Sequence, residues 1–158
     1  MKKNVKIIVA GVLCAIIFAG CGQTNKSLYG SWYTEKNGVG MTVSFGSDGT
    51  MSTVCKIVDK AAASTAGINE DMLKKMNISC WYGVDKRPAL SKKEKDSLGG
   101  KMRLNQYSSA ENMKKNKQSG HTYFVVKGKK FVTTQKTGSF NKTTGNPVYS
   151  DTVFEKSE

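Results

Sequence analysis

Alternation of apolar and polar residues recurs along most of this chain. Gly40 to Gly46 places Met41, Val43 and Phe45 on one face of an extended segment, the period-two mark of a half-buried strand. A second alternating run follows from Met51 to Val58. Between the two, Ser47-Asp48-Gly49-Thr50 predicts a hairpin turn, because Asp-Gly supplies the positive φ such turns need. Asn77 to Gly83 reads as a further strand, and Lys101 to Tyr107 sets Met102, Leu104 and Gln106 against Arg103, Asn105 and Tyr107. His121 to Val126, Lys129 to Gln135 and Val148 to Lys156 are rich in β-branched and aromatic residues that favour strands. Gly128 turns the chain between the first two, and Thr143-Thr144-Gly145-Asn146-Pro147 breaks it before the last. With the opening segment at Leu28 to Tyr33, the count is about eight strands, for which a small antiparallel barrel is the natural closure.

Two stretches leave this rhythm. Ile68, Met72 and Met76 recur at four-residue spacing and Leu73 widens their stripe, which predicts a short amphipathic helix. Asn69 stands at its N-cap, Glu70 and Asp71 in its first turn and Lys74 and Lys75 in its last, all suited to the helix dipole. Ser91-Lys92-Lys93-Glu94 and Ser108-Ser109-Ala110-Glu111 fit capping boxes for two further helical turns, the first stopped near Gly99. The expectation is a mainly β domain: an eight-stranded antiparallel barrel with short helical insertions.

The N-terminus is of another kind. Lys2-Lys3-Asn4-Val5-Lys6 precedes an apolar run from Ile7 to Ala19, the layout of a secretory signal peptide. As a helix that run rises about 20 Å, short of a roughly 30 Å hydrocarbon core. Phe18-Ala19-Gly20-Cys21 resembles the lipobox of bacterial lipoproteins, with Phe18 where Leu is usual. The resemblance implies a diacylglyceryl group on the Cys21 sulfur and cleavage before it. The expected organisation is a signal peptide (residues 1–20), a lipidated tether (21–27) of about 15–20 Å when extended, and the barrel domain (28–158). The expected location is the extracytoplasmic face of a bacterial cell membrane or outer membrane.

A second resemblance concerns the domain. Gly30-Ser31-Trp32, then Phe45 to Thr50 (Phe-x-x-Asp-Gly-Thr), then a last strand ending Phe154-Glu155-Lys156 resemble the lipocalin-like domains found in bacterial lipoproteins. The likeness implies that Trp32 plugs one barrel end and that Lys156 packs over it, where lipocalins prefer Arg. Such a likeness speaks to fold, and fold alone does not carry function.

Composition narrows the chemistry. The whole chain has a formal charge of +13, and loss of the leader's three lysines leaves +10. A charge of that size favours anionic company. Lys92 and Lys93, Lys114, Lys115 and Lys117, and Lys129 and Lys130 are the candidate contacts, beside Lys86, Arg87 and Lys127. Aromatic residues do not alternate with these clusters, so a nucleic-acid partner is not indicated. Cys55 and Cys80 are the thiols left once Cys14 and Cys21 are set aside; in an exported domain they form either a disulfide or two free thiols. His121 is the lone histidine. It has no clustered ligand spacing with Cys55 or Cys80, so no metal site or cofactor is expected. No Gly-x-Ser-x-Gly, Cys-x-x-Cys or phosphate-cradling loop is present.

Binding is therefore the expected class, not catalysis. One arrangement holds a small apolar or amphipathic ligand inside the barrel, with Ile68, Met72, Leu73 and Met76 as a pliable lid or as simple packing on the outside. A barrel filled solid by Trp32, Phe45, Trp81, Phe124 and Phe131 leaves no room for that ligand. The other arrangement is a solid interaction module whose lysines bind an anionic envelope polymer or protein, or inhibit a secreted enzyme.

Overall fold

The structure, a computed structural model, describes residues 25–157. Eight strands run in chain order: β1 (Gly30–Lys36), β2 (Val39–Phe45), β3 (Thr50–Ile57), β4 (Ile78–Asp85), β5 (Met102–Tyr107), β6 (Gly120–Lys127), β7 (Lys130–Phe140) and β8 (Pro147–Lys156). Each pairs antiparallel with the next, and β8 returns to β1 to close a barrel. The mainly β, eight-stranded antiparallel barrel expected from the alternation is thus what the chain forms, and it is consistent with a lipocalin-like barrel. Four short helices interrupt it: α1 (Lys60–Thr65) and α2 (Glu70–Met76) between β3 and β4, α3 (Lys92–Leu98) between β4 and β5, and α4 (Ala110–Lys114) between β5 and β6.

Local chemistry sets these connections. Lys36 pairs with Val39 across Asn37-Gly38, both at positive φ (54° and 73°), the turn that matches the twist of a hairpin. Asp48 Oδ1 accepts from the Thr50 amide at 3.0 Å and the Thr50 hydroxyl at 2.7 Å, closing the β2–β3 turn. Asn69 caps α2 by accepting from the Met72 amide at 3.0 Å. Ser91 and Glu94 complete a reciprocal capping box on α3. Two details differ from expectation. The Asp59-capped helix α1 carries no apolar period in the sequence, and α4 is capped by Ser109 without a box, because the cap falls at Ser109 and not Ser108, which puts Asn112 and not Glu111 at the third helical position.

Antiparallel order gives the barrel two distinct ends. The N-terminal segment, the β2–β3, β4–β5 and β6–β7 connections and the C-terminus meet at one end. The β1–β2, β3–β4, β5–β6 and β7–β8 connections meet at the other, hereafter the mouth. The first end is solid. A 3₁₀ turn at Lys26–Leu28 seats Leu28 in the core, and Trp32 Nε1 donates to the Leu28 carbonyl at 2.7 Å. Lys156 Nζ lies 5.0 Å from the Trp32 ring centre and donates to the Tyr29 carbonyl at 2.9 Å. Beneath them Phe131 is the hub of the core, with Trp32, Phe45, Phe124 and Phe154 ring centres 5.5–5.7 Å away.

Trp81 does not join this core. Cys80 and Tyr82 take the inward positions of β4, so Trp81 faces outward, opposite Tyr107. The disulfide alternative also fails. Met51, not Cys55, stands opposite Cys80, and Cys55 lies four residues further along β3. That separation is about 13 Å along the strand, whereas a bridge spans Cα atoms less than about 7 Å apart. Both thiols are free, Cys55 buried and Cys80 half-buried, and burial pushes both thiols up in pKa.

Candidate functional site

The mouth half of the barrel is hollow. A cavity of about 410 Å³ opens there, inside the range of small-molecule sites. Strand parity decides its lining. With Trp32 inward on β1, Thr34 and Lys36 follow on the same face; Val39 and Met41 face them from β2, Thr133 and Gln135 from β7, and Thr152 and Phe154 from β8. Phe154 also touches the aromatic hub, so it floors the cavity.

Helix α2 roofs it. Ile68, Met72, Leu73 and Met76, the stripe singled out by its four-residue spacing, all line this cavity. They divide the work between them. Leu73 is buried with Val39, Cys55 and Ala63, and Ile68 packs against that cluster. Met72 and Met76 remain 47% and 43% exposed. One side of the stripe anchors the helix; the other overhangs the space. Asn77, which ends α2, accepts from the Cys55 amide at 2.7 Å and ties the roof to β3.

The cavity also opens sideways. β1 and β8 pair only at Trp32–Lys156 and Tyr33–Glu155. Past Tyr33 the ladder stops, and the inward-facing Thr152 and Gln135 are exposed. The seam between β1 and β8 therefore widens toward the mouth, with Lys36 on one edge and Thr152 across from it.

Other sequence candidates fall elsewhere. Lys129 and Lys130 sit at the β6–β7 turn on the plugged end, and Lys92 and Lys93 open α3 in the β4–β5 connection. Lys114, Lys115 and Lys117 belong to the β5–β6 connection at the mouth. The clusters do not share one end of the barrel, and Lys115 is already paired with Glu111. Cys21, like residues 1–24 generally, lies outside the described residues. His121 is exposed on the outer wall, edge-on to Tyr123. Among the described residues no group of three or more His, Cys, Asp or Glu side chains is placed to hold a metal ion.

Two larger depressions mark the outer surface. One, about 570 Å³, follows the cross-strand row Ser31, Ser44, Ser52 and Ser79. The other, about 510 Å³, lies over β7 and β8 and is polar. Its centre is a structural knot: Thr134, 1% exposed, donates to Asp151 at 2.5 Å and accepts from Lys101 Nζ at 2.6 Å. The Thr134 hydroxyl, and after it the Lys101 ammonium, hold the Asp151 carboxyl below its usual pKa. With its hydroxyl donating to one neighbour and accepting from the other, Thr134 fastens the segment before β5 to the β7–β8 hairpin.

Nothing in the residue types marks Thr34, Lys36, Thr133, Gln135 or Thr152 as cavity residues. The Asn37-Gly38 turn is the signal that sets the β1–β2 register and, from Trp32, the inward parity of Thr34 and Lys36. Comparison of the chain with protein-family models, with curated proteins and with solved structures finds no match.

Proposed function

We propose that this protein is a lipid-anchored, non-catalytic binding protein of the bacterial envelope that holds a small apolar or amphipathic ligand in the mouth of its barrel. The observation that carries the reading is the cavity of about 410 Å³ whose roof is α2 and whose floor is Phe154. Half-exposed methionines over a hollow are a costly arrangement for a merely structural helix, and their flexible thioethers suit an adaptable apolar contact. Filling the cavity would bury Met72 and Met76 at about 25 cal/mol per Å² of apolar surface removed from water.

The anchor rests on Phe18-Ala19-Gly20-Cys21. The chain enters the domain at the plugged end, so a lipid at Cys21 directs the mouth away from the membrane. An anchored domain then presents its cavity to the surrounding compartment and not to its own bilayer. Mass spectrometry of the mature N-terminus tests the anchor: a diacylglyceryl-modified Cys21 is expected, and an unmodified one contradicts it.

Binding is tested with the neutral fluorescent probe N-phenyl-1-naphthylamine. One saturable site is expected. Replacing both Met72 and Met76 by Asn should weaken it about tenfold or more, since two desolvated apolar contacts are lost, with the far-ultraviolet circular dichroism unchanged. Absence of saturable binding to the folded protein, or binding indifferent to both substitutions, rules out the mouth as the site.

A further inference from the structure

The cavity wall is not uniform. Its β2 and α2 side is apolar, through Met41, Ile68, Met72 and Met76, whereas its β1, β7 and β8 side offers Thr34, Gln135 and Thr152. Among the described residues Lys36 is the one charged side chain in the lining, and neither Lys36 nor Gln135 has a hydrogen-bond or ion-pair partner there. The neighbouring acid, Glu35, points to the opposite face of β1, where it accepts from the Tyr33 hydroxyl at 3.3 Å. Both side chains are exposed at the seam, so water satisfies them in the empty cavity; a neutral occupant gains nothing from the Lys36 ammonium, whereas an anionic head there would pair with it.

We propose that the occupant is a single-chain amphipathic anion, its acidic head on Lys36 and its hydrocarbon body between Met41, Phe154 and α2. This rests on the mouth cavity being the binding site and adds the chemical class of the ligand. The open β1–β8 seam places Lys36 where a head group keeps contact with water while the tail lies inside. A volume of about 410 Å³ is near the small end of ligand pockets, which run to roughly 1,000 Å³. It takes one short chain and not the paired acyl chains of a phospholipid.

Three ten-carbon probes separate the possibilities: decanoate, decanol and decyltrimethylammonium. Each is titrated, below its aggregation threshold, into the full chain carrying Cys21→Ser and ¹³C-methyl methionine. Decanoate should shift the methyl resonances of Met41, Met72 and Met76, and should bind about two- to fivefold tighter than decanol, the range for an exposed ion pair. Lys36→Gln, at an exposed position, should abolish that preference, decanoate then binding no tighter than decanol. If all three probes shift those methionines with equal affinity, or Lys36→Gln leaves the preference intact, the anionic head is refuted while the cavity stands. If no probe moves those methionines, the binding site itself is refuted.

Discussion

At the scale of single residues, polar side chains do much of the fastening that a small barrel's core cannot. Lys156 covers Trp32 and reaches the Tyr29 carbonyl, joining the last strand to the first; a cation–π contact of this kind contributes about 0.5–1 kcal/mol where exposed. Asp151 does the corresponding work on the outer wall, held by Thr134 and Lys101. Because the folded state depresses its pKa, the linked stability is fully present above the ordinary carboxylate value of about 3.9. It is lost as pH falls through the still lower folded value. Asp151→Asn should therefore lower the melting temperature near neutral pH, and the gap from the parent should close as pH drops from about 4 toward 2. Thermal melts across that range check it; a gap independent of pH would assign the stabilisation to packing instead of charge.

At the scale of elements, the helical insertion between β3 and β4 depends on one close approach. Gly38 has φ +73°, and a Cβ there would stand 2.3 Å from the Asp59 carbonyl oxygen and 2.7 Å from the Ala63 amide nitrogen. The β1–β2 turn thus serves as the seat of α1, and through Ala63 and Leu73 of α2 as well. Gly38→Ala combines an unfavourable backbone conformation with a backbone clash, so about 2 kcal/mol or more of stability should be lost. Denaturant unfolding measures the cost. Because the roof α2 packs through Leu73 on the displaced Ala63, probe binding should weaken beyond what the stability loss explains. Unchanged stability would show that α1 rides free of the turn.

At the scale of the molecule, the barrel is two unlike halves. Where the described chain enters the barrel the interior is close-packed around Phe131; at the mouth it is open and roofed by a helix anchored along one side. Stability and binding are therefore expected to separate. Phe131→Ala removes the hub of a four-ring contact and should cost about 3–5 kcal/mol, a large part of the 5–15 kcal/mol typical of a domain. Met72→Ala, at a half-exposed residue, should cost less than about 1 kcal/mol while weakening the neutral probe. Equilibrium unfolding and probe titration on the same two variants test the separation, and a comparable stability loss in both would contradict it.

What the sequence by itself determined is whatever depends on neighbours in the chain. Period-two runs at Met41 to Phe45 and Met51 to Val58 specify half-buried strands, Asp48-Gly49 specifies its turn, and Asn69 with the Ile68–Met76 stripe specifies a capped amphipathic helix. The tertiary structure decided what depends on strands distant in sequence. The register of β3 with β4 kept Cys55 and Cys80 apart and turned Trp81 outward, and the pairing of β1 with β8 stops at Tyr33. A one-residue change of register reverses every side chain on a strand, so no local pattern shows that Lys36, Thr133, Gln135 and Thr152 face one space. Only closure of the barrel, which joins residues more than a hundred positions apart, put a lone lysine on the rim of an apolar cavity.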